Sequence, residues 1–187
     1  PNEMKLNENA NTKRKILSTI NAQYDPINLY GPLMNRAKLF IQRLQLDKSL
    51  DWDTAISDEY HHEWKTICSQ FNSVPPLSVD RCIGSRNSTF SLVAFCDASR
   101  LFYGHVIYIC NENDGTVNFL CSKNRVIGEN LNRKTIPCLE LHAIKYTVEN
   151  LMKFYREFMR QAPEGREVVL FQTQLLKLYD RSMKCFG

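Results

Sequence analysis

Two apolar runs, each the length of a strand, meet at an acid. Phe90–Cys96 (FSLVAFC) and Tyr103–Cys110 (YGHVIYIC) are mostly apolar, aromatic or β-branched residues, and Asp97-Ala98-Ser99 lies between them. Runs of this length and composition read as buried strands, and their closeness in sequence commits this part of the chain to a sheet. That leaves Asp97 to be explained. An ionised carboxylate beside a sheet core is costly unless it is paired, solvated or bound to a metal. Asp at a strand end also closes turns by bonding its own backbone. Both readings are open from the stretch alone.

The chain around it has 187 residues, 43% hydrophobic and 24% charged, a composition that supports a packed core. No apolar run approaches the roughly eighteen residues of a membrane-spanning helix, and no signal-peptide pattern appears. The expectation is an intracellular protein, cytoplasmic or nuclear, with no membrane partner. Seven cysteines occur without a CxxC, and Cys96, Cys110 and Cys121 fall in the strand-like runs. They read as reduced thiols acting as small hydrophobes. Net charge is +4 and unevenly spread: residues 1–80 hold 9 Lys+Arg against 10 Asp+Glu, and residues 81–187 hold 15 against 10. A basic second half hints at an anionic partner such as nucleic acid.

Residues 1–11 (PNEMKLNENAN) are polar and read as a disordered tail. Residues 12–80 read as a helical region. Thr12 suits the cap of a short helix, although Lys13-Arg14-Lys15 opposes the helix dipole and calls for tertiary packing or a phosphate to offset it. Pro32 suits the first turn of a second helix with Leu33, Ala37, Phe40, Ile41 and Leu44 as its stripe. A third begins near Ser57, where Tyr60, Trp64, Ile67 and Phe71 form a core-facing seam. VPPLSVDRCIGSRNS (74–88) is a junction. Residues 81–187 then change to strands: 90–96, 103–110 and 116–122, the last two joined by NENDG (111–115) as a hairpin loop. Thr135 and Pro137 announce a long helix, EVVLF (167–171) is a short strand, and a final helix covers about 174–184.

The fold class is α/β: a helical N-terminal region followed by a mixed sheet in the order β-β-β-α-β-α. That order is the opening of a ribonuclease H-like fold, truncated because the sequence ends at Gly187 before a last strand and helix. In that architecture the first strand, the first long helix and the end of the fourth strand converge, which would unite Asp97, Glu140 and the residues after EVVLF. Glu140, read as lying on the first turn of its helix, would also favour the dipole there.

The motifs "FCDAS…YGHVIY", "SKNRV", "KTIPCLELHA" and "ILSTINAQYDPINLYGPLMNRAKLFIQRL…LDWD" together resemble the BEL/Pao class of retroelement polyproteins, collinear over roughly residues 12 to 180. The resemblance implies the thumb or connection end of a reverse transcriptase joined to its ribonuclease H domain, with Asp97 and Glu140 as metal carboxylates. It also exposes departures. The family's fourth strand normally leads to a third Asp, but here "VVLFQTQLLKL" puts Thr173 at that position. Asp180 is the next acid, about 10 Å of helix further on. Cys138 stands where the family usually has a basic residue, and His105 where it usually has a small one.

Two-metal hydrolysis of a phosphodiester needs a pair of ions about 3.5–4 Å apart, and two carboxylates hold at most one weakly. The expectation is therefore a degenerate, domesticated pseudoenzyme without cofactor that serves as a binding module. Its nucleic-acid surface, for RNA or an RNA–DNA hybrid, would be Lys123, Arg125, Arg133 and Lys134. Its surface for a protein partner or a second copy would be Phe154, Tyr155, Phe158 and Tyr179, beside an unpaired sheet edge. The alternative is an active ribonuclease H using two Mg ions, completed by residues or a partner outside this chain.

Overall fold

The computed structural model describes residues 4–80, 89–128, 131, 133–161 and 168–171. The chain divides after Ser78, inside the proline-bearing stretch 74–88, into two compact units.

The first unit holds α1 (Lys13–Asn21), α2 (Gly31–Leu46) and α3 (Asp58–Asn72). The hydroxyl of Thr12 accepts from the Lys15 N–H and caps α1. The cationic first turn is offset by packing: Lys13 is buried, and its Nζ donates to the carbonyls of Asp47 (2.8 Å) and Leu50 (2.7 Å). Arg14 forks onto the Asp53 carboxylate, with Nε–Oδ1 at 2.7 Å. In α2 the buried stripe is Met34, Ala37, Phe40, Ile41 and Leu44, and Leu33 is exposed. The expectation for Leu33 is thus corrected to Met34: although Leu33 is in phase with 37, 40 and 44, it is 38% exposed, and it is Met34 of the first turn that joins the helical core. Ser57 caps α3, whose Trp64, Ile67 and Phe71 are buried, with Phe40 stacked on Trp64 at 5.6 Å between ring centroids.

The disordered tail expected over 1–11 is corrected for residues 4–11. Leu6 and Ala10 are buried in the helical core. The Asn72 side chain of α3 both accepts from Leu6 N–H (2.8 Å) and donates to Leu6 C=O (3.0 Å), and Trp64 Nε1 donates to Asn7 C=O (2.9 Å). Side chains of α3 thus take the role of a neighbouring strand, an arrangement invisible in the polar composition of the segment.

The second unit is a four-stranded sheet in the order β3-β2-β1-β4, with β1 (Phe90–Ala98), β2 (Phe102–Asn111), β3 (Val117–Val126) and β4 (Val168–Phe171). β1 and β2 pair antiparallel along their whole length, from Phe90 opposite Asn111 to Ala98 opposite Tyr103. β2 and β3 pair antiparallel with a register shift at Ile107/Tyr108, and the hairpin turn between them uses Gly115 at φ 73°. α4 (Ile136–Gln161) carries the chain back so that β4 pairs parallel to β1. The α4 face of the sheet buries Leu92, Ala94, Cys96, Ile107, Ile109 and Cys121 beneath Leu139, Ala143, Thr147 and Leu151. Among the described residues the outer edges of β3 and β4 carry no partner strand. Thr173, Tyr179 and the expected final helix lie outside the described residues.

Gly104 is fixed by its neighbours. A Cβ there would lie 2.6 Å from the Lys123 carbonyl oxygen, against backbone that cannot step aside. Gly104→Ala is expected to destabilise the sheet by about 1–3 kcal/mol through overpacking, measured by urea unfolding. Wild-type stability in the variant would refute the assignment.

Candidate functional site

Asp97 stands one residue from the end of β1, exposed, opposite Gly104. Strand alternation assigns it to the face away from α4, while its neighbour Cys96 is buried toward α4. Glu140 is half-buried on α4. The helix begins at Ile136 and its first turn contains no acid, so the placement of Glu140 on that turn is corrected: the residue falls just past it, where the dipole is already weak. The two carboxylates share Cys96 as an electrostatic neighbour. Burial pushes the Cys96 thiol up; an interaction with the Thr147 hydroxyl opposes the rise, and the charges of Asp97 and Glu140 add to it.

Among the described residues no three His, Cys, Asp or Glu side chains are grouped to hold a metal. Mg²⁺ seeks six oxygens and a two-ion centre needs several bridging carboxylates. The described donors, Asp97 and Glu140, fall short of that set, and Thr173 lies outside the described residues.

The basic residues are better defined. Lys123 and Arg125 lie two apart on β3 and are exposed. Lys123 Nζ donates to Asn150 Oδ1 of α4 at 2.9 Å. The Arg125 guanidinium sits 4.5 Å from the centroid of the Tyr146 ring, and the neighbouring phenols of Tyr146 and then Tyr103 favour its charged form. Arg133 and Lys134 are exposed ahead of α4, and the Lys134 carbonyl accepts from Arg100 Nη1 at 2.9 Å. Phe154 and Tyr155 are half-buried on α4; the Phe158 side chain lies outside what is described.

The sequence reading missed three residues of this cluster, Tyr146, Asn150 and Tyr103, and only Asn150 carries a signal that could have found it. Tyr146 falls on the apolar stripe of α4, where it reads as core. Asn150, one turn on, is the polar interruption of that stripe that marks it, and Tyr103 reads as ordinary strand. Below them His105 is only 5% exposed, with its ring 5.1 Å from that of Tyr146 and neither ring nitrogen hydrogen-bonded. Burial, and then the charge of Lys123, push it down to about 4.

Residues 12–171 match the model of the Pao retrotransposon-like RNaseH-like domain. The chain belongs to that family, a class of retroelement RNase H-like domains. Similar solved structures include the foamy viral protease-reverse transcriptase dRH in complex with double-stranded DNA, at 15% identity and TM-score 0.47, covering 89% of this chain and 27% of that one. Another is the foamy viral protease-reverse transcriptase in complex with RNA/DNA hybrid, at 14% identity and TM-score 0.43, covering 87% and 19%. The chain thus spans about a quarter or less of these two proteins. No curated protein matches it.

The buried imidazole has a consequence for stability. Its value in the folded chain, about 4, lies below the ordinary 6.5, so the unfolded chain binds the proton more tightly. Above pH 6.5 the imidazole is neutral in both states and adds no pH dependence. Stability should fall as pH drops through 6.5 and level off below 4, a loss of about 3 kcal/mol in all. In chemical denaturation across this range His105→Leu should show a flatter profile than wild type; parallel profiles would contradict the assignment.

Proposed function

We propose that this Pao-type RNase H-like domain is a binding module that holds duplex nucleic acid, an RNA–DNA hybrid or duplex RNA, without cutting it. The observation that carries the reading is the pair Lys123 and Arg125: two exposed cations held by neutral partners, with no carboxylate beside them among the described residues. Such charge suits a polyanionic backbone, whose counterions it releases on binding. Arg133 and Lys134 extend the same basic segment. The absence of cleavage rests on the sequence at the third carboxylate position, where Thr173 supplies a hydroxyl in place of an acid. Asp97 and Glu140 are then vestiges of a metal centre.

A second reading, a protein partner or a second copy, is favoured by one observation. On the sheet face away from α4, Phe95 is 39% exposed and forms a ladder with Tyr108 and Phe119, each pair 6.1 Å apart with rings edge to face. Partly exposed aromatics of this kind anchor interfaces, and Phe154 and Tyr155 add half-buried rings on α4.

The test uses a labelled RNA–DNA hybrid with Mg²⁺. Wild type is expected to bind with an affinity that falls steeply with salt, and to leave the RNA strand intact. Thr173→Asp alone should restore little cleavage. Robust cleavage by wild type that disappears in Asp97→Asn would establish the active enzyme instead. No binding at low salt would leave the protein-partner reading.

A further inference from the structure

Arg14, Arg43 and Arg160 each meet a carboxylate, on Asp53, Glu63 and Glu157. Arg125 and Lys123 are treated differently. Their partners are a phenol ring and a side-chain amide, which hold the side chains still without neutralising them. These partners are themselves fixed. Asn150 is 3% exposed, and its Nδ2 donates to the Tyr146 carbonyl at 2.7 Å. The Tyr146 ring meets Tyr103 edge to face at 5.7 Å and His105 at 5.1 Å. Tyr146 and Asn150 lie one helical turn apart on α4 and so face the same way, as do Lys123 and Arg125 on β3.

We propose that Arg125 and Lys123, pinned by Tyr146 and Asn150, form a preorganised clamp for two neighbouring phosphates of one nucleic-acid strand. The inference rests on the duplex-binding reading above and locates its contact. Side chains two apart on a strand are about 7 Å apart, comparable to the step between successive phosphates along a strand. Arg125 offers a planar fork and Lys123 a point charge, both suited to phosphate oxygens. Holding the side chains in place before binding removes part of the entropy cost of ordering them. Tyr146 and Asn150 are positioning residues, since they act through the cations.

The register places the clamp relative to the old carboxylate. Asp97 lies opposite Gly104, and Gly104 opposite Asn124, the residue between the two cations. The clamp is therefore two strand spacings, about 10 Å, across the sheet from Asp97. Tyr146 is six residues from Glu140 along α4, about 9 Å of helix. Lys123 and Arg125, paired with His105 and Tyr103, lie on the α4 face of the sheet and Asp97 on the other, so of the two carboxylates it is Glu140, on α4, that lies on the clamp's side.

The experiment is fluorescence anisotropy with a labelled RNA–DNA hybrid over a series of salt concentrations, with thermal unfolding confirming that each variant folds. Arg125→Gln and Lys123→Gln should each weaken binding and reduce the slope of log affinity on log salt by about 0.7–0.9, one phosphate contact each. Tyr146→Leu and Asn150→Ala keep both cations, so they should lower affinity several-fold and leave the slope unchanged. Tyr146→Phe, which retains the ring, should recover most of the loss. Salt-dependent binding by wild type that neither cation substitution alters would overturn the clamp and leave the duplex-binding reading standing. Wild type that fails to bind at low salt would overturn both.

Discussion

The seam between β1 and α4 sets the arrangement of the second unit. Leu92, Ala94 and Cys96 are buried on the sheet side and Leu139, Ala143 and Thr147 on the helix side. Burial of this row fixes the alternation of β1, because a slip of one residue would send every apolar side chain to the other face. The same alternation leaves Asp97 exposed and directs His105, opposite Cys96, under Tyr146. Asp97 and His105 thus take their faces from the seam.

Much of this was legible in the chain itself. The two apolar runs, the hairpin glycine, Thr12 as a cap and a helix start near Ser57 are local signals, read from neighbours within four residues, and the structure follows them. The strand order and the crossover through α4 follow from the element sequence. What escaped depends on contacts distant in sequence. Leu6 is buried because Asn72, 66 residues away, meets its backbone, and no periodicity in a polar segment announces that. Leu33 has the spacing of the α2 stripe yet is exposed, and Met34 is buried in its place, a choice made by tertiary packing at the first turn and not by periodicity. Tyr146 looked like core because its spacing is that of core; its contact with Arg125 is set by the packing of α4 against β3.

Cations are used in two ways in the chain. In the first unit the basic start of α1 is absorbed by the protein: Lys13 by two carbonyls, Arg14 by Asp53. Their charge is spent on joining α1 to the segment 47–53. In the second unit Lys123 and Arg125 are immobilised and left charged. The difference lies in the partner, carbonyl or carboxylate in one case and amide or aromatic ring in the other. A count of basic residues per domain therefore says less about anion binding than the chemistry of what each one touches.

Gly104 separates the accessibility of Asp97 from any function of Asp97. The carboxylate is exposed opposite a residue with no side chain, and a side chain there would meet the Lys123 carbonyl on the next strand. Selection on folding alone keeps that position empty. An acid whose chemistry had lapsed would still be presented at the surface, so its exposure records the steric demands of the sheet and survives independently of catalysis.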